Sequence, residues 1–297
     1  VSGNVAPSTL RGYGDAIEHF APIHHVTLAD LRAEHIEETC NRMRATRYVG
    51  KDKPLRDLGP ASPKTVRNAQ LMLRSALEQA HQRGHIRRNE AKLVRLATVP
   101  RKRRHAMTPA TAQAVLRAIE GDRYEAAYAL ALAALRESEV LGLTRADIDL
   151  DAGVVTITRQ LRGSGKRATL APTKTEASEE TVDLPEFVVR RLRAHIERHD
   201  PVTLLFTTER GYAVNGSWFN KHFKRLIQAA GVAPMTVHDL RSGAASLLAA
   251  KGAHPRMAQD FLRHATVTTT LTHYTRTTPE QRRATARLLD EAVRDAG

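Results

Sequence analysis

One stretch, residues 153 to 184, carries the alternating, β-branched pattern of strands, and it lies between long runs with helical periodicity. Gly153–Thr158 (GVVTIT), Arg167–Ala171 (RATLA) and Glu180–Leu184 (ETVDL) predict three short strands. Turns at Arg162-Gly-Ser-Gly-Lys166 and Lys174-Thr-Glu-Ala-Ser178 join them. The expected fold class is therefore mainly α with a small antiparallel β-sheet. Gly163–Lys166 (GSGK) evokes a phosphate loop only superficially, because the first glycine is missing at the required spacing and no helix follows.

Before this stretch the chain reads as helices. Ser8 or Thr9 caps a first one, with Leu10, Tyr13, Ile17 and Phe20 on one stripe. Thr27 caps a short second one (LADLR), and a third runs from His35 to Arg44, with Cys40 as a small buried or half-buried filler. Val49–Pro60 is polar and rich in Lys, Gly and Pro, as exposed loops are. Ser62–Gly84 carries a serine cap, Pro63 at the first helical position and Gly84 past the end. Val66, Ala69, Leu73, Leu77 and Ala80 form its apolar stripe, while Lys64, Arg67, Gln70 and Arg74 face elsewhere and give a basic face.

Arg95–His105 (RLATVPRKRRH) is a proline-broken basic run. It suggests a helical domain over 1–95, a linker over 96–106 and a second domain over 107–297. Arg101, Lys102, Arg103 and Arg104 would then strap along a phosphate backbone rather than form a merely solvated loop. In the second domain a capped helix begins at Met107, and an Ala/Leu-rich helix runs from Tyr124 to Leu135, interrupted at Arg136–Leu143 (RESEVLGL). Helices are also expected at Glu186–His199, Gly216–Ala230 and, in the tail, Pro279–Arg294; Tyr212 and Trp218 are expected in the core.

A chain of 297 residues with net charge +14 is more basic than an ordinary soluble enzyme and points to a polyanionic partner, nucleic acid first. One cysteine excludes a disulfide framework and a cysteine-based metal site. The longest apolar run, Ala126–Leu135, is too short for a bilayer, and the start lacks a secretory pattern, so a soluble protein of a reducing compartment is expected.

The chemistry concentrates between Thr236 and Tyr274. His238, Arg241, His264 and Tyr274 fall within 37 residues. Thr236 and Asp239 read as a capping box, and a helix start suits a phosphate. His238 and Arg241, three apart, share a helix face. A second helix from Pro255 to Arg263 precedes a Thr-rich run that reaches Tyr274, expected to move because it has few apolar anchors. A phenol delivered to a phosphate held by Arg and His is what covalent attack on DNA needs. A phenol with pKa near 10 must lose its proton to attack, and guanidinium forks match the charge spread over the equatorial oxygens. Singly, each residue has an ordinary structural explanation: Arg136 as a helix end or a partner of Glu139, Lys174 as an exposed turn, His238 as a core histidine, Tyr274 as a packing aromatic.

Taken in order, ALRESEVLGL with Arg136, TKTEASEETVDLP with Lys174, HDLR with His238 and Arg241, LRH with His264 and YTR with Tyr274 resemble the tyrosine recombinase (phage integrase) family over almost the whole chain. The resemblance implies a helical core-binding domain followed by an α+β catalytic domain, clamped on duplex DNA. It implies Tyr274 as the nucleophile forming a 3′-phosphotyrosine, and Arg136 and Arg241 on the non-bridging oxygens. Lys174 would protonate the leaving 5′ oxygen, His238 would act as general acid/base, His264 would hydrogen-bond the phosphate, and Glu139 would support from behind. No cofactor and no metal are implied.

Its partners would be double-stranded attachment sites, further copies of itself in a tetramer, and a directionality factor or host DNA-bending protein. The family usually has Gly where Arg263 stands, so Arg263 alters the turn before His264 or adds a phosphate contact. No amino-terminal arm-binding domain is visible; either the parent element lacks arm sites or such a domain was removed. A type IB topoisomerase and a non-catalytic DNA-binding protein are the rival readings.

Overall fold

The computed structural model describes residues 7–45, 60–100, 106–172 and 180–263. It divides into two compact units, Val1–Arg104 and His105–Gly297.

The first unit holds helices α1 (Pro7–Glu18), α2 (Ala33–Ala45) and α3 (Pro63–Gln82). The start of α3 is set by Ser62, whose hydroxyl accepts from the Thr65 amide at 3.1 Å, with Pro63 in the first turn. Gly84 beyond its end has φ +77°, a conformation that a Cβ disfavours. Phe20, Ile36, Cys40, Met43, Val66 and Leu77 are buried together as the core.

Three expectations for this unit fail. Leu10 and Ile17 are 46% and 52% exposed, because α1 rests on α3 with Tyr13 and Ala16 half-buried instead. Residues 27–31 make one hydrogen-bonded turn rather than a helix. The Thr27 hydroxyl donates to Asp30 Oδ2 at 2.6 Å, and five residues are too few to repay helix nucleation. Gln70 does not face outward: its amide is buried, donating to the Arg95 carbonyl at 3.2 Å and accepting from the Ala97 amide at 2.8 Å. Extended backbone packed against a helix needs both a donor and an acceptor, and glutamine supplies them. Ala97 is itself in this core, so the basic run is tied to α3 where it begins.

The second unit is built around α5 (Glu125–Leu132), in which every residue from Ala126 to Leu132 is buried. Around it stand α4 (Pro109–Ala118), α6 (Glu137–Val140), α7 (Glu186–His199), α8 (Gly216–Ala229), α9 (Val237–Ala250) and α10 (Pro255–Leu262). Tyr128 stacks on Phe219 with ring centroids 4.5 Å apart, and Phe206 and Phe223 complete the aromatic centre.

The sheet differs from the expected three strands. β1 (Ile148–Asp149), β2 (Val154–Ile157) and β5 (Glu180–Asp183) form one antiparallel sheet in the order β1-β2-β5. β3 (Arg159–Arg162) and β4 (Thr169–Pro172) form a separate hairpin, with Leu161 opposite Leu170. Arg162 thus ends a strand instead of opening the turn. Gly142 lies against this hairpin: a Cβ there would sit 2.8 Å from the Leu161 nitrogen.

Tyr212 and Trp218 are not core residues; they are 41% and 40% exposed. Phe219 and Phe223 take the inward face of α8, leaving Trp218 to stack on His222 one turn later, 4.8 Å away. No helix among the described residues is long and apolar enough to cross a membrane.

Candidate functional site

Two of the expected catalytic residues meet where α5, α6, α9 and α10 converge. Helix α5 stops because the chain turns left-handed at Ala134 (φ +74°), and Arg136 follows in extended backbone as the cap of α6. Its amide donates to Glu139 Oε2 at 2.9 Å, while the Glu139 amide donates to the Arg136 carbonyl at 2.9 Å. The Arg136 side chain is 47% exposed. Its Nη1 donates to Glu139 Oε1 at 2.7 Å and its Nη2 to the Arg263 carbonyl at 3.2 Å.

Arg241 comes from the first turns of α9, which Thr236 and Asp239 start by reciprocal bonds. The Thr236 hydroxyl accepts from the Asp239 amide at 3.2 Å, and Asp239 Oδ2 accepts from the Thr236 amide at 2.8 Å. Arg241 is 4% exposed and donates to the carbonyls of Ala134 and Leu262, at the ends of α5 and α10. The Leu262 carbonyl, the last of α10, has no partner within its helix and carries the negative end of its dipole, while the Ala134 carbonyl lies just past the end of α5. Burial, then the neighbouring charge of Arg136, pushes the Arg241 guanidinium down to about 10, so it stays protonated at neutral pH.

Glu139 is the carboxylate behind Arg136, 3% exposed. Burial alone would raise its pKa; the charge of Arg263 and bonds from the Arg136 amide, Arg263 and Arg136 together hold it below the ordinary range. Arg263 is the residue sequence reasoning placed least well. It ends α10 in the left-handed region at φ +51°, which is why glycine is the usual occupant of such a position. Its side chain turns inward, with Nη2 2.7 Å from Glu139 Oε1, Nη1 3.2 Å from Oε2 and Nε 2.6 Å from Glu180 Oε2. Among the described residues its side chain is held by Glu139 and Glu180. The one available signal was a long cation in a glycine position, and nothing marked Glu180 as its partner.

His238 sits exposed in the first turn of α9, not in the core. Lys174, His264 and Tyr274 lie outside the described residues, as do Arg101, Lys102, Arg103 and Arg104. In the first unit, Lys64 is exposed, Arg74 is half-buried, and Arg67 is half-buried with Nη1 on the Ala97 carbonyl at 3.2 Å. Chemically, the convergence provides one buried and one half-exposed guanidinium held by fixed carbonyl and carboxylate partners. Two of the five N–H groups of Arg136 are engaged by described residues, and among those residues the other three meet no acceptor that would keep them from an anion.

Residues 105–281 match the model of the phage integrase family, more than half of the chain. The integrase of Mycobacterium phage L5 is 30% identical over 217 residues, 70% of this chain and 58% of that protein. Tyrosine recombinase XerC of Thermodesulfovibrio yellowstonii is 26% identical over 271 residues, covering 88% and 83%. In fold, the chain is similar to the Tn1549 transposon integrase in complex with transposon right end DNA, with a TM-score of 0.79 at 24% identity over 97% of this chain and 96% of that one. The chain spans 58 to 65% of the length of the mycobacteriophage integrases it matches.

Proposed function

Because this chain belongs to the phage integrase family, we propose that it is a site-specific DNA recombinase, an integrase of a phage or other mobile element. It cuts and rejoins duplex DNA through a 3′-phosphotyrosine on Tyr274. The observation that carries the reading is that Arg136, held by the Glu139 carboxylate and the Arg263 carbonyl, lies close enough to Arg241, held by the carbonyls of Ala134 and Leu262, for their charges to interact. In this reading the two guanidiniums hold the non-bridging oxygens of the scissile phosphate. They stabilise the charge that builds there, with their geometry set before the substrate arrives. His238, exposed at the start of α9, moves the proton of the Tyr274 hydroxyl. Lys174 donates the proton to the departing 5′ oxygen, and His264 adds a hydrogen bond to the phosphate. The phosphotyrosine conserves the energy of the phosphodiester, so rejoining needs no external energy source.

Double-stranded attachment sites are the substrate, and the net charge of +14 favours such a polyanion. Lys64 and Arg74 on α3 contribute phosphate contacts, and so does the basic run Arg101–Arg104. Four copies act together on paired sites, with a directionality factor or a host DNA-bending protein choosing the direction. The structural neighbours in this family include integrases bound to DNA, a lambda integrase dimer on a core site among them, which supports a DNA partner.

The test is a nicked suicide duplex carrying the DNA that flanks the gene. The full chain forms a covalent adduct that survives denaturing electrophoresis, and Tyr274→Phe forms none. An adduct with the Phe variant would remove Tyr274 as nucleophile. Relaxation of any supercoiled plasmid without preference for a site would make the protein a topoisomerase instead.

A further inference from the structure

We propose that Arg263 is a positioning residue for Arg136, closing the Glu139 carboxylate so that the outer face of Arg136 is left for phosphate. The inference rests on the recombinase reading, in which Arg136 holds the scissile phosphate.

Arginine and carboxylate pair best as a two-pronged fork. Arg136, three residues before Glu139 on the same short helix, is placed to take both oxygens. It does not. Arg263 spans them, with Nη2 on Oε1 at 2.7 Å and Nη1 on Oε2 at 3.2 Å, and Arg136 keeps one side-chain bond to Oε1. Arg263 reaches Arg136 a second time through its own carbonyl, which accepts from Nη2 at 3.2 Å. The Arg136 guanidinium is thus held from behind at both η nitrogens, with its side chain still 47% exposed.

The backbone shows that the side chain matters here. Arg263 occupies the left-handed region, which glycine enters freely and a residue with a Cβ does not. The strain is offset by the fork on Glu139 and by Nε on Glu180 Oε2 at 2.6 Å. The Arg263 side chain is 8% exposed, so this pairing is shielded from solvent. Glu180 opens β5, and so Arg263 joins the end of α10 to the sheet.

Arg263→Gly keeps the turn, relieves the strain and removes only the side chain. Two readouts separate positioning from mere packing. On the nicked duplex, Arg263→Gly should form adduct at least tenfold more slowly at saturating DNA, with the Kd for that duplex unchanged. In ¹⁵N NMR of the full chain, the Arg136 side-chain resonances, identified with Arg136→Lys, should shift as Arg136 closes onto Glu139.

Arg263→Lys keeps a cation without a fork, so it should fold like the parent and show the same slowing. Adduct formation within twofold of the parent in either variant overturns the proposal. So do Arg136 resonances that do not move in Arg263→Gly. If the parent chain itself forms no adduct, the recombinase reading fails, and the NMR comparison alone then decides the role of Arg263.

Discussion

Replacing Glu139 by alanine should unsettle the second unit more than any other change at the site. The carboxylate accepts from the Arg136 amide, from Arg136 Nη1 and from both η nitrogens of Arg263, at 2.7 to 3.2 Å, and it is 3% exposed. Removing one side of a buried ion pair leaves the other charge without compensation, at a cost of about 3–5 kcal/mol. Arg263, with its side chain 8% exposed, loses both η-nitrogen bonds but keeps Glu180 on its Nε at 2.6 Å, so the cost falls at the lower end of that range; Arg136 is half in water and contributes little. For a unit of this size a loss of about 3 kcal/mol corresponds to a fall in Tm of roughly 6–12 °C. Differential scanning calorimetry of Glu139→Ala against the parent reads it directly.

Glu139→Gln provides the pH control. The folded-state pKa of Glu139 is depressed, so its contribution to stability is fully present above the unfolded value of about 4.3 and is lost as pH falls through the folded one. The parent should therefore exceed Glu139→Gln in Tm at neutral pH, and the gap should close only below about pH 4. A Glu139→Ala protein melting within about 2 °C of the parent, or a gap that stays constant into acid, would refute the assignment of Glu139 as the charged hub.

Arg136→Ala should leave Tm nearly unchanged, because the side chain is half exposed, yet slow adduct formation by about 10²-fold or more in single-turnover assays. Gly142→Ala should destabilise by about 1–3 kcal/mol in urea unfolding, since a Cβ would meet the Leu161 nitrogen at 2.8 Å and backbone would have to shift. Lys64→Gln, on the exposed side of α3, should weaken binding alike on all duplexes and reduce the salt-dependence slope by about 0.9, measured by fluorescence anisotropy across ionic strengths.

The elements that could be read from the chain were those whose limits are written locally. Helix α3 has Ser62, Pro63 and Gly84 at its ends, and α9 has Thr236 with Asp239. For α7, Glu186–His199, the apolar period alone was enough. What was missed depends on distant partners. β3 reads Arg-Gln-Leu-Arg, without a β-branched residue, and is a strand only because β4 pairs with it. Gln70 looked like a surface residue until residues 95–97 needed its amide. Trp218 looked like core because aromatics usually are, but Phe219 and Phe223 already fill the inward face of α8.

The same division runs through the site. Arg136 and Glu139 are three apart and were recognisable as a pair, whereas Arg263 lies 124 positions from Glu139 and 83 from Glu180. No local pattern encodes such contacts. They exist because α5, α6 and α10 end at one place, where helix-end carbonyls and a buried carboxylate require cations.

The most direct measurement is mass spectrometry of the adduct formed with the nicked duplex, after digestion by protease and nuclease. The account predicts a nucleotide joined through its 3′ phosphate to the peptide containing Tyr274, absent in Arg241→Lys and Arg136→Ala at short times. A nucleotide on any other residue, or an undiminished yield without those arginines, would contradict it.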